Sequence, residues 1–156
     1  MKLFLSMFLA LPFLIATQTE VTTQGFSALL EKVEISFKES EPNWKLERKE
    51  SKANSTIYRW KSAAKKEVTF EITRTASAQE ALNMLKSTAM RVPVAPKPKI
   101  SPIGDEAVLY KMDGSDSSML LYTKSNIFVN VSASHFDDTE RFATLIADQI
   151  PGKSNK

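Results

Sequence analysis

Residues 104 to 150, GDEAVLYKMDGSDSSMLLYTKSNIFVNVSASHFDDTERFATLIADQI, decide the fold. Val108, Tyr110 and Met112 alternate with Leu109 and Lys111, and the Asp113-Gly114 pair offers the positive backbone angles of a tight turn. Met119 to Tyr122 is apolar on both faces, so that strand must lie centrally or beneath a second layer. Ile127, Val129, Val131 and Ala133 point inward with period two, leaving Asn130 and Ser132 outward. Asp137 and Glu140 then repeat capping-box spacing, which predicts a helix starting after Asp137. Phe142, Leu145, Ile146 and Ile150 make its inward stripe, and Pro151 ends it. The order is strand, strand, strand, helix.

Working outward, residues 44–91 show the same order. Trp44 to Glu50 and Ile57 to Lys61 read as a hairpin across Lys52, Ala53, Asn54 and Ser55, and Val68, Phe70 and Ile72 mark a third strand. Ser77 and Glu80 form a Ser-x-x-Glu capping box before a helix that carries Leu82, Leu85 and Ala89 inward. Between the units, residues 92–103 hold Pro93, Pro96, Pro98 and Pro102, a spacing that predicts an extended connector. Ahead of both, Phe26, Leu29, Leu30, Val33 and Phe37 fall on one stripe of a helix that begins at Gly25 and stops before Pro42. The expected fold class is α+β: about six antiparallel strands in two βββα-like units with an extra N-terminal helix. The two later helices are expected on one face, with the first over part of the other. Duplication and convergence both fit the weak likeness of the two units.

The start of the chain has the layout of a signal peptide. Met1 and Lys2 are followed by the apolar run Leu3 to Ile15 and by Ala16, Thr17 and Gln18. The run is shorter than the roughly 20 residues that span a bilayer. The expected organisation is a signal peptide over 1–17, a flexible segment over 18–24, a single domain over 25–151 and a frayed tail over 152–156. No transmembrane segment is expected after cleavage. The chain has no cysteine, so an exported domain of about 140 residues must be held by its core alone. That combination favours a bacterial protein, periplasmic or extracellular.

Candidates for chemistry are few. His135 is the only histidine, and Ser134 and Asp137 beside it are the residue types of a hydrolytic triad. Near neighbours at a strand-to-helix junction rarely converge, so no catalytic residue is assigned. One histidine and no cysteine supply transition metals poorly, and Asp113 to Asp116 lacks the ligand spacing of a calcium loop. Four scattered glycines make no phosphate loop; neither cofactor nor metal is expected.

Charge is more informative. Residues 44–76 hold nine basic and four acidic residues, whereas 104–150 hold three basic and eight acidic. Either the two polar faces offset each other, or the hairpin presents a basic surface to an anionic polymer, headgroup or acidic protein. The candidate binding residues are Lys49, Arg59, Lys61, Lys65 and Lys66. Alternation places Trp44, Leu46, Tyr58 and Trp60 on the inner face of that hairpin. The chain as a whole is close to neutral, which gives no reason to expect nucleic acid.

Ile103-Gly104-Asp105-Glu106-Ala107, leading into strand, hairpin, strand and helix, resembles a segment of small exported bacterial α+β proteins of uncharacterised function. The resemblance covers the second half of the chain. It implies bacterial export and carries over no catalytic residue. The expected function is that of an exported, non-catalytic envelope protein binding a protein, polymer or small ligand. The alternatives are a small secreted hydrolase using Ser134, His135 and Asp137, and a periplasmic inhibitor or accessory subunit.

Overall fold

The computed structural model describes residues 20–97 and 103–152; the expected signal peptide over 1–17 and most of the tail lie outside them. Helix α1 (Thr23–Ser40) precedes β1 (Trp44–Ser51), β2 (Ser55–Ser62), β3 (Glu67–Arg74) and α2 (Ala78–Ala89). Then follow β4 (Glu106–Lys111), β5 (Ser118–Lys124), β6 (Ile127–Ala133) and α3 (Phe136–Gln149). The six strands make one antiparallel sheet in the order β1-β2-β3-β6-β5-β4, so the two expected units meet where β3 pairs with β6. Val68, Phe70 and Ile72 lie opposite Ala133, Val131 and Val129 there. Their shared inward face continues without a break from one unit to the other.

Helices α1 and α3 cover that face. Phe26, Leu29, Val33 and Phe37 of α1, together with Phe142, Ala143, Ile146 and Ala147 of α3, are buried against Tyr58, Trp60, Phe70, Leu120, Tyr122 and Val131. Phe37 stands at the centre, its ring 4.4 Å from Trp60, 4.8 Å from Phe142 and 5.5 Å from Phe70. Burying each such aromatic side chain stabilises the fold by about 1.5–3 kcal/mol, and this cluster replaces the disulfides the chain lacks. As alternation required, Trp44, Tyr58 and Trp60 belong to the core.

The structure corrects the expected placement of the helices. Only α3 shares a face with α1; α2 packs on the opposite face of the sheet, over β5 and β6. Ala81 and Leu85 of α2 meet Tyr110, Leu121 and Phe128, the residues that alternate with Leu109, Leu120 and Tyr122. The cause is the double-sided apolarity of β5, whose second dry face must be covered. On that side β2 and β3 carry Ile57 among Arg59, Lys61, Glu67, Thr69, Glu71 and Thr73, too little apolar surface to hold a helix.

Three local expectations also change. Helix α3 starts at Phe136 with His135 as a cap that makes no side-chain bond, so Asp137 lies within the first turn, where its charge favours the helix N-terminus. Of the Asp113-Gly114 pair, only Gly114 takes a positive φ. The segment expected to be flexible over 18–24 is fixed from Val21 on. Val21 is buried, its N–H donates to Asn126 Oδ1 at 2.7 Å, and its carbonyl accepts from Asn126 Nδ2 at 3.0 Å. Thr22 then caps α1 by accepting from the Gly25 N–H at 3.1 Å. The Ser77 cap is as expected: Ser77 Oγ accepts from the Glu80 N–H at 3.2 Å, while the Glu80 carboxylate reaches back to the Ala76 N–H at 3.0 Å.

Of the connector expected over 92–103, residues 98–102 lie outside the described ones; the part before them reaches the outer strand β4. The Lys97 N–H donates to the Leu109 carbonyl at 2.6 Å, adding a single bridge to β4, and Val92 and Val94 pack beside α2.

Candidate functional site

Because α1 buries the stripe Phe26, Leu29, Val33 and Phe37, its neighbouring stripe overhangs the β1–β2 hairpin without touching all of it. A groove of about 530 Å³ lies between them. Phe26, Ser27, Leu30, Glu31, Glu34, Ile35 and Lys38 form the helix wall, and Lys49, Ser51, Lys52, Ala53 and Thr56 form the hairpin wall. A volume of this size is in the range of small-molecule sites. Ile35 is 48% exposed at its lip.

Glu34 organises the polar part of the groove. Its Oε1 accepts from Lys38 Nζ at 2.8 Å and its Oε2 from Lys49 Nζ at 2.7 Å. Those hydrogen bonds, Lys38 first, hold the Glu34 carboxyl below its ordinary pKa. The same carboxylate raises Lys49 above the usual ammonium value. The Lys49 ammonium also lies 5.2 Å from the centroid of the Tyr58 ring, a cation–π distance. Burial raises the Tyr58 hydroxyl, which stays neutral and donates to the Leu30 carbonyl at 3.4 Å. The hairpin wall is thereby tied to the helix wall at two points. Lys52, in the turn, has no ion-pair partner among the described residues.

The five basic residues singled out by charge do not form one patch. Lys49 pairs in register with buried Tyr58 and so faces the groove. Arg59 and Lys61 alternate with Tyr58 and Trp60 and so occupy the uncovered face, where Arg59 pairs with Glu67 at 3.2 Å and Lys61 with Glu47. Lys65 takes φ 60 in the β2–β3 turn. Lys66 reaches Asp138 at 3.4 Å, and the same carboxylate accepts from Arg141 at 2.7 Å. Arg141 also binds Glu41 at 2.7 Å, joining the end of α1 to α3. Such partly exposed pairs each contribute about 0.2–1 kcal/mol and fix orientation more than stability.

At the strand-to-helix junction, Ser134 Oγ is 3.2 Å from His135 Nδ1. The same oxygen accepts from the Glu67 N–H at 3.0 Å and donates to the Glu67 carbonyl at 3.3 Å, which ties β6 to β3. Among the described residues no hydrogen bond joins Asp137 to His135. The contact therefore holds two members of a triad without an orienting acid, and its serine is engaged with backbone. A shallower depression of about 330 Å³ beside it is lined by Glu67, Thr69, Met112, Met119, Ser132 and Ser134. No group of three or more His, Asp or Glu side chains is placed to hold a metal among the described residues.

No family model matches the chain, and neither does any curated protein. Among solved structures, it is similar to the crystal structure of the extracellular domain of PknH from Mycobacterium tuberculosis, with TM-score 0.53 and 9% identity. The match covers 84% of this chain and 97% of that one. At so low an identity, what the two share is the fold.

Sequence reasoning found one groove residue, Lys49, through its charge. It missed Glu34, Ile35, Lys38 and Lys52, because the groove exists only once α1 is laid across a hairpin distant in sequence. A signal was present: Ile35, nine residues on from Phe26, falls half a turn away from the inward stripe, an apolar residue on the polar side of α1.

Proposed function

We propose that this chain is an exported, non-catalytic binding domain of a bacterial envelope, working in the periplasm or outside the cell on an anionic partner. The observation that carries this reading is the groove between α1 and the hairpin. It is ligand-sized, has an apolar floor, and takes lysines from both walls. The fold likeness to an extracellular domain agrees with export. Among the described residues no helix is long and apolar enough to cross a membrane. The signal-peptide layout of residues 1–17 and the resemblance of the segment starting at Ile103 support the same placement.

The test pairs two measurements on the purified protein. Binding to heparin and to acidic lipid vesicles is compared before and after Lys38, Lys49 and Lys52 are together replaced by Gln, and hydrolysis of a generic aryl ester is followed in parallel. The reading expects saturable, salt-sensitive anion binding that the replacement weakens, and no turnover. Ester hydrolysis that disappears in His135→Ala, or anion binding indifferent to the replacement, overturns it.

A further inference from the structure

We propose that the groove between α1 and the β1–β2 hairpin holds a single acyl chain bearing an anionic head, carboxylate or phosphate. This rests on the binding reading above and narrows its ligand. The helix wall draws on four successive turns, from Phe26 to Lys38, which at about 1.5 Å per residue is a length of roughly 18 Å. A groove of that length suits an extended chain better than a compact ring. Phe26, Leu30, Ile35 and Ala53 are the apolar members of its lining, from buried Phe26 to Ile35 at the exposed lip, with Glu31 and Glu34 between Leu30 and Ile35 on the helix wall. Ile35 and Met90 are the two large apolar side chains left exposed among the described residues, and Ile35 is the one that lines this groove.

Charge complementarity selects the head. Lys38, Lys49 and Lys52 line the groove against Glu31 and Glu34, leaving it cationic. Lys49 spends one of its three N–H donors on Glu34. The remaining donors, and those of Lys52 on the same wall, which has no ion-pair partner among the described residues, are available to an anionic oxygen in the groove. An added peptide strand fits less well. β1 is the sheet edge here, but it carries a register shift between Leu46 and Arg48 and the charges Lys45, Glu47, Arg48, Lys49 and Glu50 along it. A bulged, charged edge is how sheets avoid taking on another strand.

The experiment titrates the full chain with sodium dodecanoate below its micelle concentration and, separately, with phosphatidylglycerol vesicles, using dodecanol as the neutral control. Ile35→Asp, Lys52→Glu and Lys61→Gln are run beside the native protein. Ile35 and Lys52 are exposed, so those variants retain the core, and Lys61 lies on the other face of the sheet. The expected result is saturable binding of dodecanoate, of vesicles, or of both, weakened at least about tenfold by Ile35→Asp and by Lys52→Glu and unchanged by Lys61→Gln. Which titrant binds identifies a free acid or a membrane lipid as the source. Binding of neither overturns the proposal, as does binding that survives both groove variants or equal affinity for dodecanol. Heparin binding that falls when Lys38, Lys49 and Lys52 are replaced, without binding of dodecanoate or vesicles, would sink this assignment while leaving the binding reading intact.

Discussion

The Glu34 carboxylate on α1 accepts a 2.7 Å hydrogen bond from Lys49 on β1, closing the groove from wall to wall between residues that meet only in the folded chain. This pair gives the groove a pH dependence with a definite sign. Glu34 is held below its ordinary pKa near 4.5, so its contribution to stability is present above that value and lost as pH falls through the lower folded value. Lys49 is raised above 10.5, so its contribution is complete below 10.5 and lost only as pH rises through its folded value. Around neutrality both are intact. Unfolding midpoints followed from neutral pH into acid should fall more steeply for the native protein than for Glu34→Gln. Parallel curves would show that the pair adds nothing to the fold.

Asn126 anchors the start of the domain. Its side chain binds both backbone groups of Val21 and also donates to the Thr75 carbonyl at 3.0 Å, in a site that is 1% exposed. Asn126→Ala strands these buried groups and should cost about 1–3 kcal/mol. Amide exchange at Val21 should accelerate more than exchange at Phe70. Uniform acceleration would instead mean that the tether is not a local device.

Gly104 is required by space as well as by backbone angle. Its φ is +70, and an added Cβ would collide with the Thr123 carbonyl oxygen and come within 2.9 Å of the Tyr122 ring. Gly104→Ala should lower stability by at least about 2 kcal/mol by denaturant melt, whereas Gly114→Ala, where nothing lies within reach, should cost only the strain of its positive φ, about 1 kcal/mol. Equal losses at the two glycines would contradict this.

Ser77 and Glu80 cap α2 on the face opposite α1 and α3. Ser77→Ala should destabilise the protein by about 1 kcal/mol, and exchange at the Glu80 amide should rise. An unchanged melting temperature would mean that α2 is held by Ala81 and Leu85 alone.

Much of the fold was legible because strand alternation and helix stripes are local signals. β6 could be read to its last residue from Ile127, Val129, Val131 and Ala133, and the Ser77 cap from four letters. The face on which a helix lands is not local. Placing α2 required seeing that Phe128, outward by the alternation of β6, joins Leu121 and Tyr110 in a second apolar surface. The start of α3 was misread because aspartate at capping spacing looks alike at the cap and in the first turn, where it serves the helix dipole. The groove was legible least. Lys49 carried a charge signal, but Ile35 and Glu34 acquire their meaning only from the hairpin beneath α1.

The proposed binding lies on one surface, so the most direct measurement maps ligand contact residue by residue. Backbone amide chemical shifts recorded during a dodecanoate titration should move together at Leu30, Glu34, Ile35, Lys49 and Lys52, with Arg59, Lys61 and Thr69 on the opposite sheet face unmoved. Shifts concentrated on that opposite face or around Ser134 and His135 would contradict the assignment of the groove.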